Sequence, residues 1–122
     1  MTDSEIILKR IETVNVNDKE ALDRLDVDIY EYIFRENGYQ SRVAISLGIP
    51  SGLPQYTRSR DTLKAIRPEG WTFRIFQDMN LKWQACLYKT GSAFFGGMTI
   101  WFPTEELAEL HTVIQAIAHE RQ

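Results

Sequence analysis

The stretch YTRSRDTLKAIRPEGW, Tyr56 to Trp71, decides how the chain is read, because it carries a helix start, a helix stop and a strand start within sixteen residues. Thr57 or Ser59 can accept the first free amide protons of a short helix, and Asp61 in its first turn suits the positive end of the helix dipole. Leu63 and Ile66 are its apolar positions. Pro68 disfavours helical geometry at Arg67, and Gly70 can adopt a backbone conformation closed to other residues, so the chain leaves the helix abruptly. WTFRIF then alternates, with Trp71, Phe73 and Ile75 on one face and Thr72, Arg74 and Phe76 on the other. The stretch is a helix-to-sheet junction.

Downstream, Gln77-Asp78-Met79-Asn80 reads as a turn, after which Leu81, Trp83, Ala85 and Leu87 repeat the apolar alternation against Lys82, Gln84, Cys86 and Tyr88. A hairpin is expected. The next apolar segment, AFFGGMTIWF, lacks polar alternation and predicts a third strand covered on both faces, with Gly96 and Gly97 marking a bulge or a close approach. Thr104 then caps a last helix, with Glu105 and Glu106 in its first turn and Leu107, Leu110, Val113, Ile114 and Ile117 facing the sheet.

Upstream, Thr2, Asp3 and Ser4 are possible caps for a helix over roughly 4–14, with Ile6, Ile7, Ile11 and Val14 at helical spacing. Asp18 can cap a longer helix whose stripe is Leu22, Leu25, Ile29, Ile33 and Phe34, ending at Asn37-Gly38. Its opposite face is assigned Asp23, Asp26, Asp28 and Glu31, a solvated acidic surface rather than a metal or acid/base site, since no third converging ligand accompanies them. Between Tyr39 and Gln55, SRVAISLGI suits a strand or a short helix equally, and GIPSGLP reads as an ordered surface loop.

The expected class is therefore α+β: a small three-stranded, or four-stranded, antiparallel sheet with helices packed on it in α/β/α sandwich-like layers. At 122 residues, with 43% apolar and 25% charged residues, one domain spanning 1–122 is the natural unit. The lone Cys86 reads as a small buried hydrophobe, and an N-terminus carrying acids together with the lack of a long apolar run predicts an intracellular, cytoplasmic protein with no membrane partner.

Chemistry is harder to place. His111 and His119 lie about 12 Å apart along a helix, too far to share a zinc ion, and read as surface residues. Gly91-Ser92 with Gly96-Gly97 lacks the lysine of a phosphate loop, and Ser51 lacks the flanking glycines of a nucleophile elbow. No catalytic residue, metal or cofactor is assigned, and the expectation is a protein that is not an enzyme.

Charge is unevenly spread. Residues 1–36 hold ten acids against five bases, whereas residues 58–89 hold seven bases against three acids. These read as solvated faces able to attract each other within the fold, more readily than as a nucleic-acid footprint. The alternative, nucleic-acid binding through the segment 58–89, would use the basic surface Arg58, Arg60, Lys64, Arg67 and Arg74.

The pattern ALDRLDVDIYEYI, Ala21 to Ile33, followed by QYTRSRDTLKAIRPEGWTF, Gln55 to Phe73, then KWQACLY and a C-terminal amphipathic helix, resembles the phage ABA sandwich domain family of small bacteriophage and prophage proteins. Tyr56-Thr57, Ser59, Asp61 and Pro68-Glu69-Gly70-Trp71 are its most specific part, and most of the chain is covered. Arg60 departs from the family's usual leucine, and AFFGGMTIWF is more apolar than the family's third segment. The resemblance implies helices on both sides of a small antiparallel sheet and no assigned activity.

Taken together, these readings predict an accessory protein that binds a host protein without chemistry of its own, suited to counter-defence or host takeover. Its expected contact surface is Asp23, Asp26, Asp28 and Glu31 with Ile49, Pro50 and Leu53 of the GIPSGLP loop. The rival readings are a small-molecule binder or weak hydrolase with a pocket beside Gly96-Gly97 using Tyr88, Arg74 or Cys86, and a homodimer formed through Phe95 or Trp101 in place of a monomer.

Overall fold

The computed structural model describes residues 2–33, 54–91, 95–97 and 100–121. Helix α1, Asp3–Thr13, starts at a full capping box: the Thr2 hydroxyl accepts from the Glu5 amide, and the Glu5 carboxylate accepts from the Thr2 amide. Helix α2, Lys19–Ile33, begins after Asp18, whose carboxylate accepts from the Ala21 amide at 3.1 Å. Ser59 caps the one-turn helix α3, Arg60–Lys64, and Thr104 caps the long helix α4, Glu105–Glu120. Each of these starts is legible as a hydroxyl or carboxylate placed two or three residues ahead of an amide with no helical partner.

Strand β1, Trp71–Gln77, pairs antiparallel with β2, Trp83–Lys89, in a register running from Trp71 opposite Lys89 to Gln77 opposite Trp83. Gly70 enters β1 with φ of +84°, the left-handed conformation expected of the residue after Pro68-Glu69, and its carbonyl accepts from the Thr90 amide across the hairpin's open end. A three-residue strand β3, Phe95–Gly97, runs along the other edge of β2, and Trp83 exchanges two backbone hydrogen bonds with Phe102.

The α+β class is as the sequence predicts. Among the described residues the sheet is dominated by the long β1–β2 hairpin, with a third strand of three residues, Phe95–Gly97, from AFFGGMTIWF. Two of those three are glycines, which offer no side chain to the pleated surface and weaken a strand's interior.

Helix α4 is the centre of the molecule. It packs on β1 and β2 with one side and receives α1 and α3 on the others, so every residue from Leu107 to Ile117 except Gln115 is buried. That is more than the amphipathic stripe predicted for it; a helix covered on all sides must be apolar nearly all round. Leu107, Leu110, Val113 and Ile114 meet Ile7 and Ile11 of α1, Leu25 and Ile29 of α2, Leu63 of α3 and Ala85 of β2 in one hydrophobic cluster. At about 1.5–3 kcal/mol for each fully buried aliphatic side chain, this cluster is the main force holding helices to sheet.

Three individual placements differ from the sequence reading. Asp26 is buried, not on the solvated face of α2, because it sits one helical turn after Leu22 and beside Ile29, within the apolar stripe. His111 is buried against Phe102, with ring centroids 5.2 Å apart, because α4 has no solvent face at that level. Leu81 is 71% exposed instead of facing the core, because β2 begins two residues later, at Trp83.

Candidate functional site

The acids of the N-terminal half and the bases of the segment after Tyr56 meet inside the fold. Arg58 donates through Nη2 to Asp23 at 2.6 Å and to Asp26 at 2.7 Å, while the Thr57 amide donates to the other Asp26 oxygen at 2.9 Å. Burial pushes the Asp26 carboxyl above its ordinary value; the Thr57 amide and the Arg58 guanidinium oppose that shift, and the two carboxylates hold Arg58 protonated. These contacts tie the chain immediately before α3 to the middle of α2.

A second cluster joins α3 to α4. Glu109 is fully buried, and its carboxylate accepts from Arg60 Nε at 2.7 Å and ion-pairs with Arg67 through its other oxygen. Arg60 reaches Glu105 as well, and the Arg67 guanidinium lies over the Phe73 ring, 5.0 Å from its centroid. Burial and the neighbouring Arg60 charge lower the Arg67 pKa from its ordinary value. Glu109 is the residue the sequence reading passes over. Its place one turn before Val113, in a helix rich in apolar residues, is the signal available, but its partners lie more than forty residues away and cannot be inferred from spacing.

The predicted contact acids are therefore not one free surface. Asp23 and Asp26 hold Arg58, Asp28 pairs with Arg10 of α1, and Glu31 is exposed on α2. Ile49, Pro50 and Leu53 lie outside the described residues. Of the predicted basic surface, Arg58, Arg60 and Arg67 are taken up by the fold while Lys64 and Arg74 remain exposed. Arg58, Arg60 and Arg67 hold buried or half-buried carboxylates, Lys64 faces Asp61 at 4.0 Å, and Arg74 lies over the Tyr88 ring at 5.7 Å. Lys89 bonds Glu120 at 2.9 Å, alongside the Trp71 indole N–H, and together they hold that carboxyl below its usual range.

Among many exposed charged residues, a few large apolar side chains also stay in water. Ile6, Phe76, Met79, Leu81 and Trp101 are exposed large hydrophobics, with Met79 98% exposed. Three of the five belong to the β1–β2 hairpin. Its tip is closed by a hydrogen bond from the Leu81 amide to the Asp78 carbonyl, and the Asp78 carboxylate accepts from the amides of Asn80 and Lys82 at 2.9 and 2.8 Å. Leu81 has φ of +61°, the left-handed position that a three-residue hairpin loop normally gives to glycine.

Among the described residues one cleft is seen between the first two helices. It is shallow, of about 140 Å³, and is lined by Arg10, Thr13, Val14, Ala21, Arg24 and Leu25, below the roughly 300 Å³ at which ligand pockets begin. Cys86 is buried on β2, and among the described residues no group of three metal-ligating side chains converges. No helix among them is long and apolar enough to cross a membrane.

The fold and its internal ion pairs define a small α+β domain built around a buried helix. Comparison with protein-family models, with curated proteins and with solved structures finds no match.

Proposed function

We propose that the chain is a small phage or prophage accessory protein that works as a non-catalytic protein-binding module, acting on a protein of the bacterial host cytoplasm. The observation that carries this reading is that Arg58, Arg60, Arg67 and Lys89, four of the seven bases of residues 58–89, are held by carboxylates of the same fold, while Phe76, Met79 and Leu81 of a single hairpin stand in solvent. Exposed apolar side chains concentrated on one protruding element are the usual mark of a contact surface. The same commitment of Arg58, Arg60 and Arg67 counts against the nucleic-acid alternative, since a guanidinium already bonded to a carboxylate has little to offer a phosphate.

The α/β/α layering implied by the resemblance belongs to this proposal. Its support is that Gln84 and Cys86, which point away from Ala85 and Leu87 on β2, are buried at 7% and 3% exposure.

Capture on the immobilised 122-residue chain from nuclease-treated bacterial lysate, followed by calorimetry with the captured protein purified, tests the reading. Binding of one protein at a fixed ratio, insensitive to nuclease, is expected. Material lost on nuclease treatment, or no protein that rebinds when purified, would overturn it.

A further inference from the structure

Helix α1 is held to the fold more lightly than α2. The longer helix buries Leu22, Leu25, Asp26, Ile29 and Tyr32, and Asp26 ties it to Arg58 and to the Thr57 amide. At its other end Arg121 donates to the carbonyls of Tyr32 and Ile33 at 2.7 and 2.5 Å, so the end of α4 clamps the end of α2. Of the eleven residues of α1, only Ile7 and Ile11 are buried, packed toward α2 and α4. Its side chains reach the other helices through an ion pair from Arg10 to Asp28, both partly in water, and a 3.1 Å hydrogen bond between Glu12 and His111. The clamps on α2 and the Glu109 cluster beside α3 do not pass through α1.

Of the two polar ties of α1, the one to His111 is open to change near neutral pH, since imidazole is the side chain that ordinarily titrates there. His111 is 6% exposed, between the Phe102 ring and the Glu12 carboxylate. Other charges around α4 are engaged elsewhere. Glu109, two residues earlier and so on the opposite side of the helix, holds Arg60 and Arg67. Lys89 of β2 is held by Glu120 near the end of α4, and Asp28 of α2 by Arg10. With α1 docked, a positive charge on the ring has Glu12 beside it but is almost cut off from water; with α1 away, the same charge is hydrated. Burial holds the imidazole below its ordinary value, and Glu12 offsets this only in part. The ring therefore takes up a proton more readily once α1 has left. From this arrangement we infer that α1 is an acid-released cover on α4: protonation of His111 frees α1 while α2, α3, α4 and the sheet stay assembled, uncovering the part of the core on which Ile7 and Ile11 rest.

Hydrogen exchange on the 122-residue chain, read by mass spectrometry and corrected for the intrinsic pH dependence of exchange, tests the release between about pH 7 and 5. Protection over residues 3–13 should fall several-fold across that range, while protection over 107–117 of α4 and 83–89 of β2 holds. His111→Gln keeps a donor toward Glu12 but takes up no proton, and should abolish the fall. Glu12→Gln removes the charge that favours the protonated ring, and should steepen it. Unchanged protection over 3–13 would overturn the release, and equal loss in α1 and α4 would replace it with opening of the whole fold. A fall that survives in His111→Gln would overturn the role of that residue. Should His111→Gln not fold, a shallower fall in Glu12→Gln would do the same.

Discussion

Arg58 bonds Asp26 at 2.7 Å although the two lie 32 residues apart in sequence, and Asp26 is only 3% exposed. A carboxylate this deep must be paired, because an isolated buried charge costs several kcal/mol that no packing around it recovers. The pair therefore fixes the approach of the Tyr56–Ser59 turn to α2, and it explains why the acidic and basic halves of the chain are both needed for one fold.

Removing one member of this pair should hurt more than removing both. Asp26→Asn leaves Arg58 without its inner partner, and we expect a loss on the order of 2–3 kcal/mol, below the 3–5 of a fully buried pair because the Arg58 side chain is a quarter exposed. Asp26→Asn with Arg58→Met should recover most of that loss. Urea denaturation of the two variants measures it, and equal destabilisation would show that the pair contributes packing alone.

The Glu109 cluster predicts a contrast within one helix. Glu109→Ala strands Arg67 and leaves Arg60 with Glu105 alone, and about 2–4 kcal/mol should be lost, short of a fully buried network because the Arg60 and Arg67 side chains are 40% and 29% exposed. Glu105→Ala removes a more exposed contact of the same Arg60, whose side chain is 40% exposed, and should cost less than about 1 kcal/mol. Similar midpoints for the two variants in thermal melts would contradict the assignment of Glu109 as the buried anchor.

Acid should weaken the fold through His111. The ring is buried on α4, and because the Glu12 carboxylate only accepts, it is the His111 Nε2–H that donates across 3.1 Å. Burial lowers the His111 pKa below 6.5, and Glu12 offsets this only in part. The unfolded chain then takes up a proton near 6.5 before the folded one does. Stability from this residue is complete above that value and is lost as pH falls from there toward the lower folded value. Denaturation midpoints for the wild type should drop between pH 7 and 5, and His111→Gln should flatten that slope.

Much of the fold was legible locally. Thr2, Asp18, Ser59 and Thr104 are caps because a side-chain oxygen at that spacing meets an orphan amide, and Gly70 is left-handed where the chain turns from helix to strand. The candidate site was far less so. Asp26 was assigned to the wrong face because carboxylates are counted as solvated by default, although its spacing from Leu22 places it in the stripe. Glu109 and His111 depend on partners from α3 and α1, which sequence spacing does not bring together. Leu81 continued an apolar alternation with Trp83 and Ala85, yet turn geometry displaced the strand start by two residues and put it in solvent.

That displacement gives the sharpest separation of stability from function. Leucine at φ of +61° pays a steric penalty of about 1 kcal/mol or more that glycine avoids, and at 71% exposure it contributes little burial in return. Leu81→Gly should therefore leave the melting temperature unchanged or raise it, by up to roughly 1 kcal/mol of stability after glycine's own entropy in the unfolded chain is counted. The same variant removes half of the apolar tip, so partner binding should weaken while the fold strengthens. Thermal melts and titrations on one preparation measure both. A destabilised Leu81→Gly would mean that the side chain packs within its own domain, and the hairpin tip would then be explained by folding rather than by recognition.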